Sequence, residues 1–244
     1  YNCEHSIFKS IGYPLTNVYA RWTKAYLKNV DMFACITEFQ KKKLIETGYD
    51  KNKITVIPNS IDAPCSYTLT TGGYIAYIGR LSYEKGYDLL VEVARKHPEI
   101  KFRFAGAQRE QKNTDIPSNV EFAGYLQKDK LLEFIQKARF IVIPSRCYEG
   151  FPMAILEAAC HGKPAIASNH GGFTEIIGQG ENAIGKLFEP GNIDDLDKQI
   201  AELWNNQTLT EELGEKAFRK LKKHYDSEVV YKQWETLFSK LKNS

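Results

Sequence analysis

The chain has 244 residues, 43% of them apolar, which is ample for one large or two small folded domains. Its 33 basic and 30 acidic side chains leave a net charge of +3, which gives no reason to expect a nucleic-acid partner. The five scattered cysteines form no CxxC and no zinc spacing, so they read as reduced thiols in a cytoplasmic setting, and no apolar run is long enough to span a bilayer.

The chain opens on Tyr1, inside what reads as running structure, which suggests that an N-terminal part is missing. In residues 1–30, Phe8, Tyr13, Tyr19, Trp22 and Tyr26 interleave with Lys9, Arg21, Lys24 and Lys28. From Asn17 on this fits one amphipathic helix. Its aromatic–basic face suits a membrane surface, and peripheral membrane association is one reading. Five aromatics in a stripe also suit packing on a neighbouring domain, which is the preferred reading. Residues 32–36, MFACI, read as a short buried strand. Thr37 then caps a helix, with Gln40 placed to complete a capping box and Gly48 to stop it. Residues 54–57 are a strand broken by Pro58. The Pro-, Ser-, Thr- and Gly-rich stretch from Pro58 to Gly73 reads as a linker, and a domain boundary is placed there.

Beyond it the pattern is β–α–β, repeated. Strands are expected at Tyr74–Ile78, Lys101–Ala105, Val120–Gly124, Phe140–Ile143, Pro164–Ser168 and near Ile184–Phe188. Helices are expected at Gly86–Lys96, Lys128–Ala138, from about Pro152, at Asp194–Asn205, about Leu209–His224 and Ser227–Leu241. Apolar strands alternating with helices predict an α/β fold with a doubly wound parallel sheet.

In such a sheet, ligands bind at the carboxyl ends of the strands. Gly79, Arg80 and Lys85 follow the first strand, Gly106 the second, Gly124 and Tyr125 the third, Ser145 and Glu149 the fourth, and Gly171, Gly172 and Glu175 the fifth. Arg80 and Lys85 would supply cations for a diphosphate. Gly171-Gly172 would let backbone approach a ligand, although it also fits a simple turn. Glu175 reads better as a helix-start carboxylate than as a ligand contact. His170, at a strand end, is a candidate for a site role.

The stretch Pro144 to Ala159, PSRCYEGFPMAILEAA, carries the sharpest signal. It reads as strand, turn and helix, with Pro152 in the first helical turn. Glu149 falls in the loop and Glu157 inside the helix. Helical rise alone would separate them by roughly 12 Å, a span that suits a long ligand with two polar ends and an anion between them. Two carboxylates eight positions apart also arise without meaning. The five histidines show no HExxH and no metal-ligand spacing, so no metal is expected. There is no G-x-S-x-G elbow, P-loop or G-x-G-x-x-G either.

Gly79-Arg80-Leu81, Glu84-Lys85-Gly86, Pro144-Ser145, Glu149-Gly150-Phe151-Pro152-Met153 through Glu157-Ala158, Gly162-Lys163-Pro164 and Gly171-Gly172-Phe173-Thr174-Glu175 stand in that order. They resemble the C-terminal, donor-binding half of the retaining GT-B glycosyltransferases of family 4 (glycosyl transferases group 1), whose signature is the E-x7-E pair. Pro58-Asn59-Ser60-Ile61-Asp62 is similar to that family's hinge motif PNGVD, with Ser60 where glycine is usual. The resemblance runs from about Met32 to the C-terminus. It implies a Rossmann-like C-terminal domain that binds a UDP- or GDP-sugar and passes the sugar on with retention of anomeric configuration, without a metal or other cofactor. Arg80 and Lys85 then hold the diphosphate, together with Gly79. Glu149 meets hydroxyls of the transferred sugar, so Glu149, Arg80 and Lys85 are the catalytic set. Backbone of Gly150, Phe151, Pro152, Met153 and Ala154 faces sugar and phosphate, Glu157 meets the ribose, and Tyr125 and Leu126 meet the base.

The implied organisation is residues 1–63 as the remnant of an acceptor-side domain plus hinge, 64–226 as the donor domain, and 227–244 as a helix crossing back. The family's glycine-rich loop and histidine motif of the first domain do not occur in this sequence. The chain is therefore expected to bind donor yet transfer sugar poorly alone. A glycan, lipid-linked or small-molecule acceptor, polysaccharide assembly, and a place in the cytoplasm or at the inner face of the membrane are further expectations. A non-catalytic nucleotide-sugar-binding module and a nucleotide-sugar epimerase of related fold remain as alternatives.

Overall fold

The computed structural model describes residues 29–107 and 115–242, and before them Leu15, Thr16, Val18, Tyr19, Trp22, Thr23, Lys24 and Leu27. Within the expected opening helix, Asn17, Ala20, Arg21, Ala25, Tyr26 and Lys28 lie outside the described residues. Those described within it are largely helical, and Trp22 is 82% exposed.

The larger unit is a six-stranded parallel sheet. In chain order its strands are β3 (Ile75–Ile78), β4 (Phe102–Ala105), β5 (Val120–Gly124), β6 (Phe140–Ile143), β7 (Ala165–Ser168) and β8 (Gly185–Phe188). They lie in the order β5-β4-β3-β6-β7-β8, and every neighbouring pair is parallel. The chain thus starts in the middle, winds outward to one edge, returns, and winds outward to the other. This is the doubly wound, Rossmann-like arrangement expected from the sequence.

Both faces are covered, which is why the central strands are apolar throughout: all four residues of β6 are buried. Alternate strand residues feed two separate cores. Ala76, Ile141, Ile143 and Ala165 pack with α3 (Asp129–Gln136), α4 (Met153–Cys160), α5 (Gly172–Ile177) and α7 (Gln207–His224). Ile75, Tyr77, Phe140, Val142 and Ile166 pack with α2 (Tyr87–Lys96) and α6 (Ile193–Asn205). The edge strand β5 is not buried throughout, and its Phe122 is 40% exposed.

A smaller unit precedes the sheet. β1 (Phe33–Cys35) and β2 (Ile54–Val56) pair in parallel through the crossover helix α1 (Glu38–Glu46). Thr37 caps α1 as expected, its side chain accepting from the Gln40 N–H at 3.2 Å. The reciprocal half of the box differs. Gln40 Oε1 accepts from Ile36 N–H at 3.1 Å, one residue before the cap.

The stretch expected as a linker is irregular but tethered. Ile61 N–H donates to Tyr225 O at 3.0 Å, and Ser227 N–H to Ile61 O at 3.1 Å. Tyr67 packs on Phe218 at 4.8 Å between ring centroids. Thr70 Oγ1 donates to Gln136 O at 2.7 Å, and the buried Lys163 donates from Nζ to Thr70 O at 2.6 Å. The last helix, α8 (Ser227–Lys242), faces the hinge residues Pro58 to Ser60 across a largely apolar hollow of about 870 Å³.

Candidate active site

The strand order turns between β3 and β6, so the crevice at the carboxyl end of the sheet opens there. Two loops leave the sheet at that point. The first, from Gly79, includes a 3-10 turn at Tyr83–Lys85 before α2. The second runs from Pro144 to the start of α4. They meet backbone to backbone. Gly86 has φ +69°, and a Cβ there would lie 1.8 Å from Pro144 O, so only glycine fits. Arg146 N–H donates to Glu84 O at 2.9 Å.

This docking brings Lys85 and Glu149 into an ion pair, with the two side chains 20% and 21% exposed. Ser145, fully buried, places its Oγ 3.3 Å from Glu149 Oε1. Beneath them lies Tyr77, whose hydroxyl donates to Arg80 O at 2.6 Å and so holds the backbone of the first loop. Burial pushes the Tyr77 hydroxyl far above its usual range, and the nearby charges of Glu84, Asp88 and Glu149 push it further. Arg80 is more exposed than Lys85 and lies 3.7 Å from Glu84. The structure joins Lys85 and Glu149 directly, whereas Arg80 flanks them on the first loop.

Helix α4 starts at Met153 with Pro152 as its N-cap, and no side chain caps it. The Ile155 N–H donates to Pro152 O at 3.1 Å, which leaves the Met153 and Ala154 amides available to an anion. Gly150 packs against Gln40 of α1: a Cβ there would lie 2.7 Å from Gln40 Nε2. Phe151 stands edge-on to Tyr225 at 5.6 Å. Ala154 and Met153 are partly buried beside the core. Glu157, one turn further, is half-buried, and burial alone raises its carboxyl above the usual range. It has no hydrogen-bond or ion-pair partner among the described residues. The expected span of roughly 12 Å assumed helical rise throughout. Only Met153 onward is helical, so helical rise accounts for about 6 Å, and the loop for the remainder.

The fifth strand's loop supports the second loop from behind. Gly172 N–H donates to Glu149 O at 3.0 Å, and a Cβ on Gly172 would lie 2.5 Å from Gly150 O. Gly171 precedes it at φ +59°. His170 Nε2 is 3.0 Å from Ser145 O, which can only accept, so that nitrogen carries hydrogen. The His170 ring sits edge-on between Tyr148 and Phe173. Glu175 is a helix-start carboxylate as expected, with a second role. It lies in the first turn of α5, but its carboxylate accepts from Phe39 N–H at the start of α1, at 3.2 Å. It therefore serves another helix, 136 positions away.

Tyr125 and Leu126 leave the edge strand β5, with β4 between them and β3. Tyr125 is 68% exposed, and Leu126 packs on the core. Sequence reasoning missed Arg146 and Asp88, which lock the two loops together. Their only signal was opposite charge at a separation of 58 positions. Among the described residues, no group of three or more His, Cys, Asp or Glu could hold a metal ion. No described helix is long and apolar enough to cross a membrane.

Comparison with known proteins gives the same direction. The family model described as glycosyl transferases group 1 matches residues 68–220, and that of glycosyltransferase family 4 matches residues 3–63. An uncharacterized glycosyltransferase of Methanocaldococcus jannaschii is 33% identical over 193 residues, 77% of this chain and 53% of that protein. The chain spans about half or less of the length of the curated relatives it matches first. Among solved structures, Anabaena HepE in complex with UDP superposes with a TM-score of 0.78 at 18% identity, covering 88% of this chain and 65% of that one. S. aureus TarM, as a mutant in complex with fondaparinux, alpha-GlcNAc-glycerol and UDP, superposes with a TM-score of 0.72 at 25% identity, covering 87% and 45%.

Proposed function

Because the chain belongs to the glycosyl transferases group 1, we propose that it carries the donor site of a retaining glycosyltransferase that moves a sugar from a nucleotide diphosphate to an acceptor. The observation that carries this reading is the Lys85–Glu149 contact at the sheet's switch point, beside the uncapped start of α4. As the donor bond breaks, negative charge builds on the diphosphate. Lys85, Arg80 and the first amides of α4 are placed to stabilise it. Gly79 lets the first loop turn toward the phosphates. Glu149, freed from Lys85, takes hydroxyls of the sugar. Glu157 accepts from the ribose, which gives a half-buried carboxylate the partners it lacks among the described residues. Tyr125 and Leu126 border the base. No step requires a metal or other cofactor. UDP is the leading base, because solved relatives hold it, with GDP the alternative.

The acceptor is a glycan, a lipid-linked glycan or a small molecule. It is held on the side of β1–β2, at the inner face of the membrane in the cytoplasm. Residues 1–63, 64–226 and 227–244 serve as the acceptor-side part with hinge, the donor domain and the returning helix.

Calorimetric titration with UDP, GDP and their sugars tests the reading. Lys85→Ala and Glu157→Ala should each weaken binding by about tenfold or more. Failure of the unaltered chain to bind any of them at millimolar concentration overturns it. In the intact protein, Glu149→Ala should abolish transfer while nucleotide still binds. Retained transfer in that variant would remove Glu149 from the catalytic set, and absence of transfer by the unaltered protein would leave only a binding module.

A further inference from the structure

Lys85 sits on a single 3-10 turn, Tyr83–Lys85, with no buried side chain of its own. A lysine has a long flexible stem, and such a turn has little to hold it. What holds this one comes from across the crevice. The Arg146 guanidinium makes a two-pronged ion pair with Asp88, at 2.7 and 2.8 Å. The same group donates to Tyr83 O at 2.7 Å and lies over the Tyr83 ring, 4.0 Å from its centroid. The Arg146 backbone N–H donates to Glu84 O, and Ser145 Oγ donates to the same oxygen at 3.3 Å. Residues 83, 84 and 88 bracket Lys85 on both sides. Arg146 itself lies three positions before Glu149 and is 22% exposed.

We propose that Arg146, with Asp88, is a positioning residue that sets Lys85 against Glu149 and so presents the Lys85 ammonium to the donor diphosphate. This deepens the donor-site reading and rests on it. The chemistry favours arginine here. Its planar fork grips both carboxylate oxygens and stacks on an aromatic ring at once, which lysine cannot do. Arg146 touches neither Glu149 nor the place of the phosphates in this arrangement. It acts by joining the two loops.

The test separates positioning from general stability. UDP and GDP affinities are measured by calorimetry for the unaltered chain, Lys85→Ala, Arg146→Met and the double variant. Arg146→Met should weaken diphosphate binding by about tenfold, yet add nothing in the Lys85→Ala background, because its effect passes through Lys85. Arg146→Lys, which keeps charge without the fork, should fall between. An equal loss in both backgrounds, or no loss, overturns the proposal. Asp88→Asn serves as the milder second variant should Arg146→Met fail to fold. Amide hydrogen exchange provides the readout that does not depend on nucleotide. Exchange at Lys85 and Gly86, whose N–H groups bond to Ser82 O and Tyr83 O, should rise by about tenfold or more in Arg146→Met while α6 is unchanged. A uniform rise, or none, overturns the clamp. Absence of nucleotide binding by the unaltered chain would overturn the donor reading instead.

Discussion

The six-stranded unit and the two-stranded unit beside it are built on opposite terms. The first buries strands on both faces, and α2 alone contributes six buried side chains. The second has two three-residue strands and a crossover helix with no buried side chain. Its order is borrowed. Glu175 holds the start of α1, Gly150 packs on Gln40, and Phe39 stacks against Tyr148 at 5.4 Å. All three contacts reach the donor loop or the helix behind it. The difference teaches that the small unit is ordered by the same loops that form the candidate site, so the two regions should respond to one another.

The comparison breaks most severely at the crossing of the two loops. Gly86→Val places a branched side chain at positive φ against Pro144 O. The expected loss is about 3 kcal/mol or more in urea unfolding, with both units affected.

The next effect lies where the six-stranded unit grips the segment that joins the units, at the Lys163–Thr70 contact. Burial pushes the Lys163 ammonium down to about 8. Above that pH the folded chain releases a proton that the unfolded chain keeps until about 10.4. Stability should therefore rise with pH from about 8 toward 10, by at most about 1.4 kcal/mol per pH unit. Lys163→Met should flatten this slope, as read by urea unfolding from pH 8 to 9.5.

A smaller effect sharpens the contrast, since it touches only the borrowed contacts. Glu175→Gln should cost about 1 kcal/mol locally. Hydrogen exchange at Phe39 should speed up, while the six-stranded unit keeps its protection. Equal loosening of both would show that the units are one.

The smallest effect runs against the others. Burial holds the Glu157 carboxyl above its usual range, so its charge at neutral pH is a penalty to the folded state. That penalty appears as pH rises through the ordinary glutamate range toward the raised value. Glu157→Gln, measured without nucleotide, should raise the thermal midpoint slightly at pH 7 and not below about pH 4, where wild type is protonated too. The same variant should weaken nucleotide binding.

Much of this was legible in the sequence. Apolar strands separated by amphipathic helices placed β6 to the residue and most other elements within one or two, because burial on both faces leaves little freedom in composition; the edge strand β5, with no buried residue, was also placed to the residue. The two loops were legible too, since Lys85 and Glu149 follow strands at the end where such a sheet binds ligands. What sequence could not show were contacts between distant segments. Glu175 looked like a local helix-start charge because nothing in the chain marks Phe39 as its partner. Gln40 had the right spacing for a capping box, yet the backbone offered Ile36 instead. Arg146 and Asp88 are ordinary surface residues until the fold sets their loops side by side. Helical rise was the wrong ruler for the whole stretch from Glu149 to Glu157, as the chain becomes helical only at Met153.

Lys85 and Glu149 neutralise each other, so on the donor reading a diphosphate cannot gain the ammonium without setting the carboxylate loose. Entry is then a swap of partners rather than a simple addition. A sugar still attached offers the displaced carboxylate new hydroxyls, whereas the spent nucleotide offers none and leaves it stranded. The same two side chains would thus favour loading of fresh donor and hasten departure of the product.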